Sequence, residues 1–445
     1  MKNEMRYLYC GISIIIIFYL LLKKRRIDFL FIYVVSSLVY YYPLLFGKLY
    51  DMYYAFGKLQ FVPVQINEKT YFFAIINITI TFAWIIYNDY ANVLKKKKNT
   101  KSKNILEKDN HINDLAIKFL SIINIFLILY SLYKNADLLF SSNFNKVILI
   151  QNLGIIDNLV RYTSLLIVVY SFTSNNTSRY LKYISFIFII YSLFMGRRSD
   201  SIIALLAILM YFFKKNLNED QSLSKLLVKY KVVTLFCIIV MLTIMPVKRS
   251  LPLFRSGNIS EGITHTVEYI FDDRTYIASE SNSITDYINK INEIDYRLPF
   301  YSYKNIFFDA IPFLETLSDG KYGGNNLNSQ MQQDLFRTIT SDVAGLAGTF
   351  WGETIINGGF IFFFIILNIF LGILVKLDKK IMKEKDDLIR TFLLIILSFL
   401  SFYIHRLYLA DVFDLLKMLF TLYIFLRIFK ILIKWMVKNI SRGKL

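Results

Sequence analysis

The chain has 445 residues, 55% of them apolar, a formal charge of +19 and only two cysteines. Apolar runs of membrane-spanning length recur along nearly all of it, which excludes an ordinary soluble domain. Its lysine runs border those segments instead of forming a separate basic domain, which argues against nucleic-acid binding. Cys10 and Cys237 both lie in apolar segments and support neither a disulfide framework nor a metal site.

In chain order, the first apolar run is Tyr7–Leu22. Lys23-Lys24-Arg25-Arg26 follows at once, without a small-residue cleavage site, so this run reads as a retained helix and not a signal peptide. Further spans are expected at Ile27–Phe46, Tyr71–Tyr87, Leu115–Tyr133, Leu159–Phe172, Tyr180–Met195, Ser201–Phe213 and Val232–Val247. After a polar stretch from Lys248 to about Ala347 come Gly348–Val375, Leu388–Tyr408 and Val412–Ile433. The expectation is an all-α polytopic membrane protein with about eleven transmembrane helices. It divides into a membrane bundle over 1–247, a large extracytoplasmic loop or cap over 248–347, a second part of the bundle over 348–433 and a basic tail over 434–445.

The dense basic blocks are Lys23–Arg26, Lys95–Lys98 with Lys101 and Lys103, Lys214–Lys231, Lys376–Arg390 and Lys434–Lys444. An even number of spans separates each consecutive pair, so all fall on one side, which the positive-inside rule makes the cytoplasm. The N-terminus is then outside and the C-terminus inside. The large net charge follows from this topology and from attraction to anionic lipid headgroups.

That parity puts Arg197 and Arg198 on the outer side, where short loops seldom carry basic residues. They sit in Met195-Gly196-Arg197-Arg198-Ser199-Asp200 between two short spans. Each flanking helix climbs roughly 22 Å at 1.5 Å per residue, against a hydrocarbon core of about 30 Å. The turn is therefore expected in a recess that opens outward. Paired guanidinium groups there favour a bidentate anion such as phosphate, aided by the first amides of the second helix. Gly196 would end one helix, and Ser199 or Asp200 would cap the next. The alternative is that both arginines reach lipid headgroups or pair with Asp200.

The long outer segment carries its own pattern. Ile284, Tyr287, Ile288 and Ile291 recur at helical spacing, with Ser283 and Asp286 as candidate caps. Arg297–Leu317 is aromatic with two prolines, suited to the headgroup region, and Asp319–Asn328 is turn chemistry. A helical cap with a lid over the outer face is expected.

Glu353 lies about one turn into a span entered from outside, where a carboxylate is costly and functional by default. It is a candidate general base toward a hydroxyl, or else a partner in a structural salt bridge. Gly358, Gly359 and Gly372 read as close-packing positions. His405-Arg406, with Asp411 across a short turn, reads mainly as a self-contained ion pair. His265 is a second candidate base, though a surface histidine is the commoner role. Arg249 and Arg406 complete the basic residues expected near the outer surface, as further diphosphate contacts.

The chain resembles the bacterial O-antigen and capsule polymerases, the Wzy-type oligosaccharide repeat-unit polymerases. The resemblance rests on the many spans, the single large late outer loop, and the Phe194-Met195-Gly196-Arg197-Arg198-Ser199 turn opening a helix. It rests also on Ala347–Leu374, similar to the family's glycine-rich, glutamate-containing helix after that loop. What it implies is a GT-C-like membrane glycosyltransferase of the bacterial cytoplasmic membrane, acting in lipopolysaccharide or capsule synthesis. Its donor would be a glycan on polyprenyl diphosphate at the outer leaflet, and no cofactor or metal would be needed. Chain-length regulator and flippase proteins would be its protein partners. The related ligases share much of this plan, and a flippase or exporter of the same lipid-linked glycan is the alternative from another class.

Overall fold

In the computed structural model the described residues are 2–22, 27–55, 58–95, 107–135, 153, 155–174, 177–195, 198–216, 250, 253–254, 256–271, 280–295, 297–300, 303, 349–381 and 383–440. They are almost entirely helical. The helices are α1 (Lys2–Leu22), α2 (Phe29–Tyr40), α3 (Tyr42–Phe46), α4 (Glu68–Lys95), α5 (Glu107–Lys134), α6 (Ile155–Thr173), α7 (Arg179–Phe194), α8 (Arg198–Asn216), α9 (Ile259–Phe271), α10 (Glu280–Glu293), α11 (Phe350–Ile381), α12 (Asp387–Tyr403) and α13 (Leu409–Ile440). Among the described residues four helices are long and apolar enough to cross a membrane, within α1, α4, α5 and α11, and α2 is a shorter apolar helix. The expected span at 232–247, the turn at 319–328 and most of the aromatic segment at 297–317 lie outside the described residues.

Between membrane helices, apolar burial adds little net drive because lipid is as apolar as leucine, so packing and interhelical hydrogen bonds carry more of the association. Tyr33 Oη donates to Asn77 Oδ1 at 2.9 Å and Thr163 Oγ1 to Asn124 Oδ1 at 2.7 Å. Asn124 Nδ2 donates to Ser164 Oγ at 2.7 Å, and Trp84 Nε1 donates to Asn368 Oδ1 at 3.0 Å.

Charged and polar ties gather at the two ends of the bundle. Near the basic blocks, Lys214 pairs with Asp378 at 2.7 Å, Asn88 donates to Asp28, Asn113 to Asp386 and Ser174 to Asp387. The opposite end holds Tyr41 near His405, Asn67 bonded to Asn289, and Arg161 paired with Asp200. Helix ends flanked by basic blocks thus share one end, the partition that the span parity predicts.

At that opposite end lies a β-hairpin that the apolar pattern does not predict. Strand β1 (Leu49–Ala55) pairs antiparallel with β2 (Lys58–Val64), Leu49 facing Val64 and Ala55 facing Lys58. Aromatic and β-branched residues favour strands there. The adjoining Gly47 (φ 65°) closes α3 in the left-handed conformation that suits glycine.

Helix α10 is the helix expected from the spacing of Ile284, Tyr287, Ile288 and Ile291, and that apolar face is buried. Its polar face is buried as well. Asn282 brackets the backbone of Tyr50, Asn289 that of Asn67 and Gln65, and Ser281 donates to the Val39 carbonyl. The helix therefore locks the hairpin to the ends of α2 and α4. It starts at Glu280, so Ser283 and Asp286 fall inside it and are not its caps.

Asp286 is 1% exposed, and among the described residues neither carboxylate oxygen has a hydrogen-bond partner. Lys290 stands 3.7 Å away but is engaged by Asp51 at 2.5 Å. Burial pushes the Asp286 carboxyl from its ordinary 3.8 up to about 8; Lys290 opposes the shift, while Asp51 and Glu293 add to it. The folded protein then holds a proton that the unfolded chain has released, so this group's contribution to stability declines as pH rises from about 4 to 8. Asp286→Asn is expected to flatten that part of the pH dependence of Tm in detergent; an unchanged slope would assign the effect to other groups.

In α11, Gly359 adopts φ 70° and ψ −169°, a non-helical conformation inside a 32-residue helix. Its role is a helix break and not the close packing expected, since a Cβ built there would meet nothing within 4 Å. The break diverts carbonyls from the helix ladder: Leu298 N–H donates to the Ile356 carbonyl at 3.0 Å and Phe300 N–H to that of Asn357 at 3.2 Å. Such backbone in a span is tolerated only where its polar groups find partners. Gly359→Ala is expected to cost about 1–3 kcal/mol through backbone strain alone. Thermal unfolding in detergent would read this, and a wild-type Tm would show that the break relaxes.

Candidate functional site at one end of the bundle

The starts of α6, α8, α11 and α13 converge at the end of the bundle opposite the basic blocks. Glu353, in the first turn of α11, is 4% exposed, and its Oε2 accepts from Leu409 N–H at 2.5 Å. A carboxylate on α11 thereby holds the first amide of α13, where the orphan N–H groups and helix dipole favour negative charge. Its other oxygen has no hydrogen-bond partner among the described residues. The backbone carbonyl of Glu353 also accepts from Asn357 Nδ2 at 2.6 Å, just before the Gly359 break. Among the described residues no arginine pairs with Glu353.

Asp411, in the first turn of α13, is exposed and turns Oδ2 back to Tyr408 N–H at 3.1 Å. That bond is an N-terminal cap, replacing the ion pair with His405 and Arg406 expected across this turn. Arg406 and Arg161 lie within electrostatic reach of Asp411, as does Asp414. His405 faces inward and is fully buried. Its ring lies 4.7 Å from that of Tyr33 and 5.5 Å from that of Tyr41, with the Tyr41 hydroxyl 3.4 Å from Nδ1. The histidine packs in an aromatic cluster because the α12–α13 turn points it at α2.

Arg161 on α6 is a further charged residue at this end of the bundle, beyond those expected from sequence. Its Nε donates to both carboxylate oxygens of Asp200, at 2.8 and 2.9 Å, and its guanidinium lies 5.1 Å from the Tyr162 ring centroid. Asp200 is 4% exposed and sits in the first turn of α8, which starts at Arg198. Neither Asp200 nor Ser199 precedes α8 as a cap, because both fall within it. The carboxylate serves α6 instead, and one ion pair fixes the start of α8 against α6. Sequence held a signal for Arg161: it is an arginine three residues into an expected span, the exception that singled out Glu353.

Of the other expected site residues, His265 is exposed on α9, 3.1 Å from Ser250 Oγ through Nδ1. Arg197 and Arg249 lie outside the described residues; Arg198 is described only as the first residue of α8. Glu353, Arg161, Asp411 and Arg406 are brought together, and His265 has no described contact with them. Among the described residues no group of three or more His, Cys, Asp or Glu side chains could hold a metal ion.

The end of the bundle therefore offers a buried carboxylate, an arginine braced by its own aspartate and an exposed carboxylate at a helix start. A model of the family described as O-antigen polysaccharide polymerase Wzy matches residues 1–440, nearly the whole chain. No curated protein and no solved structure matches it. The chain belongs to the Wzy family: it is an integral membrane protein of O-antigen repeat-unit polymerisation, acting on lipid-linked oligosaccharide units in surface polysaccharide synthesis.

Proposed function

We propose that this Wzy-family chain transfers a growing glycan from polyprenyl diphosphate to a second lipid-linked repeat unit at the outer face of the cytoplasmic membrane. In this reading the chain crosses the membrane about eleven times in a GT-C-like arrangement, N-terminus outside and C-terminus inside. The segment at 248–347 is the outer loop that recognises the repeat unit and closes over it.

The acceptor hydroxyl oxygen attacks the anomeric carbon, forming the new glycosidic bond as the bond to the diphosphate oxygen breaks. Glu353 takes the hydroxyl proton, with His265 as the less favoured base. Arg197 and Arg198, with Arg249 and Arg406, bind the diphosphate and stabilise the charge that builds on the departing polyprenyl diphosphate. A single displacement inverts the configuration at the anomeric carbon.

The observation that carries this reading is Glu353: a buried carboxylate, anchored through one oxygen to α13 and, among the described residues, unpartnered at the other, at the end of the bundle where α8 begins. Deleting the gene and resolving surface glycans by length on a gel tests it. Single repeat units on the usual acceptor are expected. Full-length chains left on the lipid carrier would identify a ligase, and precursor trapped inside the cell would identify an exporter.

A further inference from the structure

Beside the Gly359 break in α11 lies an open cavity of about 440 Å³, a size typical of ligand clefts. Arg297, Pro299 and Phe300 line one side, and Ile356, Gly359 and Phe362 line the other. The wall is fixed in place. Phe300 keeps a left-handed backbone (φ 54°), which a bulky residue holds only where its surroundings determine it. Here its N–H is bound by the diverted Asn357 carbonyl, and its ring stands 5.9 Å from that of Phe362. The Tyr303 ring backs Phe362 from 5.5 Å.

The cavity marks a change in the surroundings of α11. On its N-terminal side every residue from Phe350 to Asn357 is buried. On its C-terminal side Ile361, Phe364, Ile365 and Ile369 are exposed along one helix face, which in a membrane span is the face toward lipid. Arg297 extends the cavity wall into a charged cluster: Asp295 Oδ1 accepts from Arg297 Nη2 at 2.7 Å and from Lys69 Nζ at 3.3 Å. Two cations on one carboxylate leave that cluster with a net positive charge. An apolar cavity where a helix meets lipid, with a cationic edge, matches an amphiphile with an anionic head.

We propose that this cavity seats the lipid of the acceptor repeat unit, its first isoprenoid units between Phe300 and Phe362 and its phosphate at Arg297 and Lys69. The site rests on the polymerase reading above and deepens it, because that reaction needs two lipid-linked substrates and its diphosphate arginines serve the departing one. The acceptor's phosphate gains no charge during transfer, so a single net positive charge suffices to hold it. The direction along α11 also fits. Glu353 lies six residues before Gly359, roughly 9 Å along the helix toward the outer side. The lipid end then sits inward while the glycan runs outward past the base. Asn357 ties the two together, since its side chain donates to the Glu353 carbonyl at 2.6 Å and its own carbonyl holds Phe300.

The test uses purified full-length protein in phosphatidylcholine nanodiscs. Preformed lipid-linked chain is held saturating as donor, and lipid-linked repeat unit extracted from the gene-deletion strain is varied as acceptor. Arg297→Gln and Phe300→Ala are each expected to raise KM for the repeat unit about ten-fold while kcat stays within about two-fold, the pattern of lost uniform binding. Both side chains are partly exposed, so Tm is expected to stay near wild type. Arg297→Lys keeps a point charge for the phosphate, and its KM is expected within about three-fold of wild type. Phe300→p-benzoylphenylalanine is expected to cross-link to the repeat-unit lipid on irradiation. Unchanged KM in either Arg297→Gln or Phe300→Ala, with chain growth intact, would overturn the acceptor site and leave the polymerase reading standing. A fall in kcat at wild-type KM, or adducts with phosphatidylcholine alone, would overturn it as well. Wild-type protein that joins no repeat units would overturn the polymerase reading and the acceptor site with it.

Discussion

Glu353→Gln is expected to lower turnover at least about 100-fold while leaving donor binding near wild type. Glutamine is nearly isosteric, and its side-chain oxygen can still accept from Leu409 N–H, so the α12–α13 turn should keep its place. What the substitution removes is the ability to take a proton. Glu353→Ala differs: it also leaves the first amide of α13 without its buried partner, a loss of about 1–3 kcal/mol in stability. Comparing turnover, donor affinity and Tm for the two variants separates proton transfer from the structural bond. Undiminished turnover in Glu353→Gln would reduce this residue to a helix cap and move the base to Asp411 or His265.

Arg197→Lys and Arg198→Lys are expected to yield folded proteins with transfer reduced by about 100-fold to 1,000-fold each. Lysine keeps the charge but presents a single point donor where guanidinium offers a planar fork matched to phosphate oxygens. The deficit should appear in turnover more than in KM, because the diphosphate gains charge as the glycosidic bond breaks. Single-turnover transfer from a lipid-diphosphate donor would measure it. Near-normal rates in both variants would remove the diphosphate role from this turn.

Much of the architecture was legible in residue type and order. Apolar runs marked the helices because hydrocarbon accepts only backbone that satisfies itself. The spacing of Ile284, Tyr287, Ile288 and Ile291 marked α10, whose four apolar residues are all buried. The polar face of the same helix was illegible. Ser281, Asn282, Thr285 and Asn289 look like a solvated surface until the hairpin and the ends of α2 and α4 supply their partners. The hairpin was missed for a related reason: a short alternating stretch between two long apolar runs is a weak signal beside them.

Glu353 stood out because a carboxylate inside a span has one dominant explanation. Its partner did not, since Leu409 is an ordinary apolar residue that contributes only its backbone N–H. Gly359 looked like a packing glycine because sequence carries no dihedral angles; the break shows only in the backbone and in the loop amides that occupy the diverted carbonyls.

Sequence by itself determined the membrane class, the partition of the helix ends, the acidic residue in the first turn of α11 and the resemblance that the family match bears out. These follow from local chemistry: transfer of apolar groups into lipid, the bias of basic loops and the cost of an ionised group in a span. Tertiary structure alone decided that Asp200 serves Arg161 and not its own helix end, that His405 turns into the aromatic core, and that Asp411 turns back onto the Tyr408 amide. Those outcomes depend on which helices become neighbours. A charged side chain several residues long can reach any of them, and only packing selects the one it meets.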